Sequence, residues 1–163
     1  MTPEPILDAE HAAFLQMGVS MSFATCDAQH IPVAVRAVGC RVAADRRRVA
    51  LFVSSRQAGR ALDCLRERGV IAVVFSHPPT HRTVQLKGKD AAVEGLQPGD
   101  LELMAGQQAA FIELLAPMGY APEVVSRLFM LPPADLVAVA FTPIAAYSQT
   151  PGPRAGEPLR SAA

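Results

Sequence analysis

The chain has 163 residues, half of them apolar and 18% charged, with fifteen basic side chains against fifteen acidic ones. Such a composition suits one domain with a buried core and excludes a disordered linker, and the even charge balance gives no general attraction to nucleic acid or anionic lipid. Three cysteines (Cys26, Cys40, Cys64) without CxxC spacing exclude a disulfide framework or a cysteine-built zinc site, and no apolar run nears the roughly 20 residues that span a bilayer.

The opening MTPEPILDAEH has no basic stretch leading into an apolar one, so the expected setting is the reducing cytoplasm. Ile6, Leu7, Phe14 and Met17 stand at loosely helical spacing and predict a short amphipathic helix over 6–17. The period then changes to two. Segment 19–26 alternates Val19, Met21 and Phe23 against Ser20, Ser22 and Ala24, which predicts a half-buried strand. Polar turns at 27–30 and 44–48 separate it from β-rich stretches at 31–42 and 49–54, and links so short allow only antiparallel hairpins.

Ser54 or Ser55 can cap a helix in which Ala58, Ala61, Leu62 and Leu65 share one face, with Gly69 placed to end it. Segment 70–75 (VIAVVF) is apolar throughout and predicts a central strand covered from both sides. After the loop at 76–80 comes a long strand, 82–94, with Val84 and Leu86 on one face and Thr83, Gln85 and Lys87 on the other. Leu101, Met104, Phe111, Ile112 and Leu115 predict a helix from Pro98 to about Pro117, and Pro122 opens a shorter one with Val124, Val125, Leu128 and Phe129 inward. Leu136–Tyr147 reads as the last strand. The whole is a mainly β (α+β) chain of about six strands with peripheral helices, a β-barrel with a helical insertion near 98–130. Residues 1–148 form the domain, and 149–163 is a Pro/Gly-rich tail.

The common nucleotide, zinc-protease and hydrolase signatures are absent. Chemistry gathers instead where a strand ending in Ser54-Ser55-Arg56 enters a helix that carries Arg60. Hydroxyls, guanidiniums and the free N–H groups of a helix start suit a phosphate monoester; the same segment also reads as a plain serine cap with solvated arginines. Thr83, Gln85 and Lys87 offer donors and an acceptor to the edge of a polar heterocycle, or form an ordinary solvated strand face. Arg36 interrupts an apolar strand, where its charge needs water or an anion. His77 and His81 do not make a helical metal pair, because Pro78-Pro79 intervenes. The cysteines read as small buried hydrophobes.

The run FVSSRQAGRALDCLRERGVIAVVFSHPPTHRTVQLKGKDAAVE resembles the FMN-binding split-barrel family, the pyridoxamine 5′-phosphate oxidase-like flavoproteins. The resemblance covers about 12–95 and continues loosely through 136–153. It implies an antiparallel split β-barrel and a homodimer, with FMN between the barrels and a small-molecule substrate or electron donor. Position by position, Ser54 and Ser55 match the hydroxyl-bearing end of the flavin strand, Arg60 matches one of a basic pair on the phosphate, and Arg56 reaches toward the same group. Arg36 falls in a strand that often gives a further phosphate arginine; Thr83 and Gln85 match the strand along the ring edge, with Lys87 beside them. The ring is expected to lie across Val53 and its apolar neighbours. Gly59 stands where the first basic residue usually is, and Arg41 where a lysine usually is. With no Trp in the chain, the substrate motif of true pyridoxamine phosphate oxidases is missing. An oxidoreductase of unknown substrate and unassigned catalytic residue is implied, for which NAD(P)H is a permitted donor. Some relatives handle haem, and the alternative is a non-catalytic split-barrel dimer that carries or senses flavin or haem.

Overall fold

The computed structural model describes residues 4–159. In chain order the elements are α1 (Ala9–Gln16), β1 (Ser20–Cys26), β2 (Pro32–Ala37), β3 (Gly39–Val42), β4 (Val49–Ser54), α2 (Ser55–Arg68), β5 (Ile71–His77) and β6 (Arg82–Gly88). Then follow β7 (Ala92–Glu94), α3 (Asp100–Leu115), α4 (Pro122–Ser126), β8 (Leu136–Phe141) and β9 (Ala145–Ser148). Nine strands stand where the sequence suggests about six, because each of three long β-rich segments breaks in two and passes from one sheet to the other. The sheets run β2-β1-β5-β6-β9 and β3-β4-β8-β7, and every pairing is antiparallel.

The breaks have local causes. At the first, Val38 donates its N–H to Phe52 O at 2.8 Å, and a Cβ on Gly39 would stand 3.0 Å from Gln107 Oε1 and 3.1 Å from the Phe52 ring. At the second, Gly88 passes so close to Phe141 that a Cβ would come within 2.6 Å of its ring. Beyond it, Asp90 accepts from Thr142 N at 2.8 Å, which ties the second break to the third; Pro143 holds the third open, since it cannot donate to a ladder. Desolvation by partial burial pushes the Asp90 carboxyl up, but the Thr142 hydrogen bonds, its own backbone N–H and the Arg48 charge together hold it below its usual range.

Phe23, Phe75, Leu51, Val53, Leu86 and Phe141 fill the space between the sheets. Helix α2 adds Ala58, Ala61, Leu62 and Leu65 to this core, the face that its spacing predicts. Its ends also follow expectation: Gln57 N donates to Ser54 Oγ at 3.3 Å, and Gly69 takes φ 65° with its N–H on Leu65 O at 2.8 Å. Helix α3 covers the outside of the four-stranded sheet, with Met104 against Phe52, Ala50, Ala138 and Ala140. The strand buried on both faces is therefore β4, not β5 as the apolar run suggests; outward Ala72 and Val74 of β5 are half-buried, because no helix among the described residues covers that side.

The insertion is also less regular than its stripe implies. Val125 is buried, but Val124 is 61% and Leu128 47% exposed, since α4 lasts five residues and the chain tightens into a 3-10 turn at Arg127–Phe129. The Pro/Gly-rich stretch 149–159 is tied back. Ser148 N donates to Glu157 O and Leu159 N to Ala146 O, both at 2.9 Å, and Leu159 packs on the core. Among the described residues no helix is long and apolar enough to cross a membrane.

Candidate functional site

Residues paired directly across an antiparallel ladder point to the same face. The register therefore sets Arg36, Ser22, Val74, Gln85 and Tyr147 in one row across β2, β1, β5, β6 and β9, on the side away from the core. Ser20, Ser76 and Thr83 form the row beside it, and Ala34, Ala24, Ala72, Lys87 and Ala145 the row on its other side. The four predicted residues Arg36, Thr83, Gln85 and Lys87 thus share one open face. Three strand spacings separate Arg36 from Gln85, about 14 Å.

Arg36 is the unusual member. It is exposed, donates weakly to Ser20 Oγ (3.4 Å), and lies 5.4 Å from the Phe111 ring centroid. Among the described residues no carboxylate lies within ion-pair distance of it. Partial desolvation by its neighbours lowers its pKa, and an anion beside it would offset that effect. Gln85 Oε1 accepts from Gln149 Nε2 at 3.3 Å, which turns the Gln85 NH₂ group toward other acceptors. Thr83 and Ser76 share a hydroxyl hydrogen bond of 2.9 Å. Lys87 is exposed, with Nζ 5.2 Å from the Tyr147 ring centroid. A groove of about 500 Å³ opens at the Lys87 end of the face.

The β4–α2 junction is a second group. Ser54 is 4% exposed and its hydroxyl serves as the helix cap. Val53 is 0% exposed in the main core, so its side chain does not form a platform for a ring; that expectation is corrected by the inward register of β4. Ser55 is half-exposed at the first helical position. Arg56 is largely exposed and 3.8 Å from Asp135, while Arg60 is 61% exposed and donates to Asp27 Oδ2 at 3.3 Å. The Ile31 backbone N–H, and after it Arg60, hold the Asp27 carboxyl below its usual range. Exposed pairs of this kind contribute little, so either guanidinium can exchange its partner for another anion. Arg41 is committed elsewhere: its Nε donates at 2.8 Å to Asp100, a carboxylate only 1% exposed. A Cβ on Gly59 would meet nothing within 4 Å. No hydrogen bond or ion pair among the described residues joins this junction to the open sheet face.

Two of the histidines make local bonds. His77 Nδ1 meets Thr80 Oγ1, and His11 Nδ1 meets Asp8, both at 2.8 Å. Among the described residues no three His, Cys, Asp or Glu converge as metal ligands. Cys40 and Cys64 are buried, whereas Cys26 is half-exposed and receives a hydrogen bond from Arg68 Nη1 at 3.3 Å. Sequence reasoning missed Ser22, Tyr147 and Gln149 as members of the face. The alternation of 19–26 pointed to Ser22; nothing local marked the other two, whose place depends on pairing with β6.

Two antiparallel sheets that trade strands around one core, with a helix in the core between them, make a split barrel of the pyridoxamine 5′-phosphate oxidase-like type. The resemblance in the order of elements implied this fold. No protein-family profile and no curated protein matches the chain. Solved structures are similar to it. HupZ of Group A Streptococcus aligns with a TM-score of 0.55 at 13% identity, over 92% of this chain and 99% of that one. A candidate pyridoxamine 5′-phosphate oxidase from Lactobacillus delbrueckii gives 0.54 at 16%, over 90% and 97%. An F420 reductase gives 0.51 at 14%, over 86% and 98%. Identities this low establish a shared fold and nothing finer.

Proposed function

We propose that the protein binds flavin mononucleotide and acts as an oxidoreductase of the pyridoxamine 5′-phosphate oxidase-like type, as a homodimer with the cofactor between its two copies. The observation that carries this reading is Arg36, an exposed cation with no carboxylate partner among the described residues, on the same open face as Thr83, Gln85 and Lys87. Arg36 supplies charge for a phosphate, with the loosely held Arg56 and Arg60 as further donors. The Gln85 NH₂ group donates to the polar edge of the ring, and Lys87 adds positive charge where a reduced flavin becomes negative. Bound flavin would supply the electron transfer; the protein binds, orients and tunes.

The half-buried Ala72 and Val74, with Ala24 beside them, give the face an apolar centre suited to a second copy. A second copy also supplies a β4–α2 junction to a face that, in one chain, stands apart from its own. No residue of the face is placed as a general base. Hydride transfer needs none, so NAD(P)H is the proposed donor. The three cysteines, all free thiols, fit the cytoplasmic setting proposed with it.

Purified protein titrated with FMN tests the reading. We expect one FMN per protomer, and Arg36→Ala weakening affinity by about 1.5–3 kcal/mol, the scale of a charged hydrogen bond. Arg60→Ala should cost less, because its guanidinium is mostly solvated. Unchanged affinity in Arg36→Ala refutes the phosphate assignment. Preference for haem over FMN refutes the flavin reading, and a bound flavin that NAD(P)H leaves oxidised under anaerobic conditions refutes the proposed donor.

A further inference from the structure

We infer that the cleft beneath the backfolded tail is an oxyanion site, for a small molecule bearing a phosphate or diphosphate group, and that its occupant clamps the tail to the barrel. The alternation of β6 places the cleft. Val84 and Leu86 lie in the core while Thr83, Gln85 and Lys87 face outward, so Arg82 belongs to the core side of the strand. Ser148 pairs with Val84 and shares that side. With His11 of α1 in its lining, the cleft opens at the end of the barrel that α1 covers. It is therefore across β6 and β9 from the open face proposed for flavin and a second copy. Its volume, about 460 Å³, lies within the range of small-molecule sites.

Two pieces of chain build it: the barrel supplies Arg82 and His11, and the tail supplies Thr150, Arg154 and Leu159. Arg82 is held on two sides. Its Nη2 donates to Glu10 Oε1 at 2.8 Å, and its guanidinium carbon lies 4.5 Å from the Phe14 ring centroid. Both contacts fix the planar fork and leave Nε and Nη1 for a further acceptor. Glu10 is 73% exposed, a weak partner that a second anion can join or replace. Arg154 is exposed, and among the described residues it has no carboxylate within ion-pair distance. No Asp or Glu lines the cleft, and Glu157 lines a neighbouring hollow instead. Asp8 holds the His11 ring through Nδ1 at 2.8 Å, which leaves its second nitrogen for a ligand. Thr150 Oγ1 accepts from Thr83 N at 2.9 Å, while its own hydrogen meets Thr83 O only at 3.5 Å, so the hydroxyl can donate elsewhere. Two guanidiniums and a hydroxyl match a phosphate group, and Pro151, Pro153 and Leu159 add apolar wall for the organic part of an ester. A ligand held by both pieces ties down the tail, and with it Gln149, whose Nε2 donates to Gln85 Oε1.

The probe is pyrophosphate, titrated by calorimetry into flavin-free protein at neutral pH and low ionic strength. The parent should bind it, and Arg154→Gln should weaken binding about tenfold or more, since one charged contact is lost. That side chain is exposed and unpaired among the described residues, so the variant should fold as the parent does. Arg82→Gln should weaken binding at least as much. Arg36→Ala, across the sheet, should leave it unchanged. Hydrogen exchange read by mass spectrometry on a peptide spanning 148–159 should slow when pyrophosphate is added to the parent, and not when it is added to Arg154→Gln. The inference falls if the parent does not bind pyrophosphate, if Arg154→Gln binds it as the parent does, if Arg36→Ala removes the binding, or if exchange in the tail is unaffected. Every one of these outcomes is read without flavin, so they stand whether or not the chain binds FMN.

Discussion

Gln107 offers the sharpest quantitative test of the packing. It lies on α3, 5% exposed, and its amide makes two bonds to one residue of β3: Cys40 N donates to Oε1 at 2.8 Å, and Nε2 donates to Cys40 O at 2.7 Å. A side chain thus takes the place of a neighbouring strand along an edge that would otherwise be unpaired. Gln107→Met keeps nearly the same volume but leaves a buried N–H and a buried C=O without partners. Each unsatisfied group costs about 1–3 kcal/mol, so the pair should cost about 2–6 kcal/mol. In a chain of this size each kcal/mol moves Tm by roughly 2–4 °C, which predicts a fall of roughly 4–24 °C. Thermal and urea unfolding followed by far-UV circular dichroism measure it. Gln107→Glu should be at least as harmful, since it keeps the acceptor but sets a negative charge against Cys40 O. A loss below about 1 kcal/mol in Gln107→Met would show that the edge does not depend on this amide.

Gln85→Leu should shift the reduction potential of bound FMN more than its affinity; potentiometry that finds no shift removes Gln85 from the ring edge. Of the three thiols, Cys26 alone is half-exposed, so a thiol-reactive dye should label one cysteine per native chain and three only after denaturation. Labelling at Cys40 in the native state would refute its burial. That thiol also sets a pH dependence. Burial raises its pKa from 9.0 to about 12, so the folded chain keeps a proton that the unfolded chain releases in this range. The associated stability is intact below pH 9.0 and is lost progressively as pH rises toward about 12. Cys40→Ala should flatten the fall in urea-unfolding free energy across that window by up to one proton's slope, and an unchanged slope would refute the assignment.

The separate strands and helices of the barrel were largely legible, because alternation and capping are local signals. Ser54 and Gly69 bound α2 as their residue types suggest. What was not legible is where a β-rich run changes sheets. Segments 31–42, 82–94 and 136–147 keep their apolar alternation through each bend, so periodicity joins strands that geometry divides. Partial clues were present in Gly39, Gly88 and Pro143, residues that interrupt a continuous ladder. The apolar run of β5 misled because hydrophobicity reports burial without saying what supplies it. In one chain its outer residues face an open surface. Site residues were legible where alternation placed them, as with Thr83, Gln85 and Lys87. Val53 was misplaced because a strand buried on both sides gives no sign of which face holds the core. Gln149 belongs to a segment with no period at all.

The backfolded end of the chain bears on how the protein can be cut and tagged. Gln149 N bonds Thr83 O at 2.8 Å, Thr150 Oγ1 accepts from Thr83 N at 2.9 Å, and Tyr147 bridges to Pro158. A shortened version stopping at 148, where composition alone invites a cut, would strip the outer border of β9 and release the amide that steers Gln85. Such a truncate should become sticky along that border and lose the chemical character of the sheet face in the same stroke. Fusion partners appended after Ala163 call for a spacer long enough to leave this clasp undisturbed.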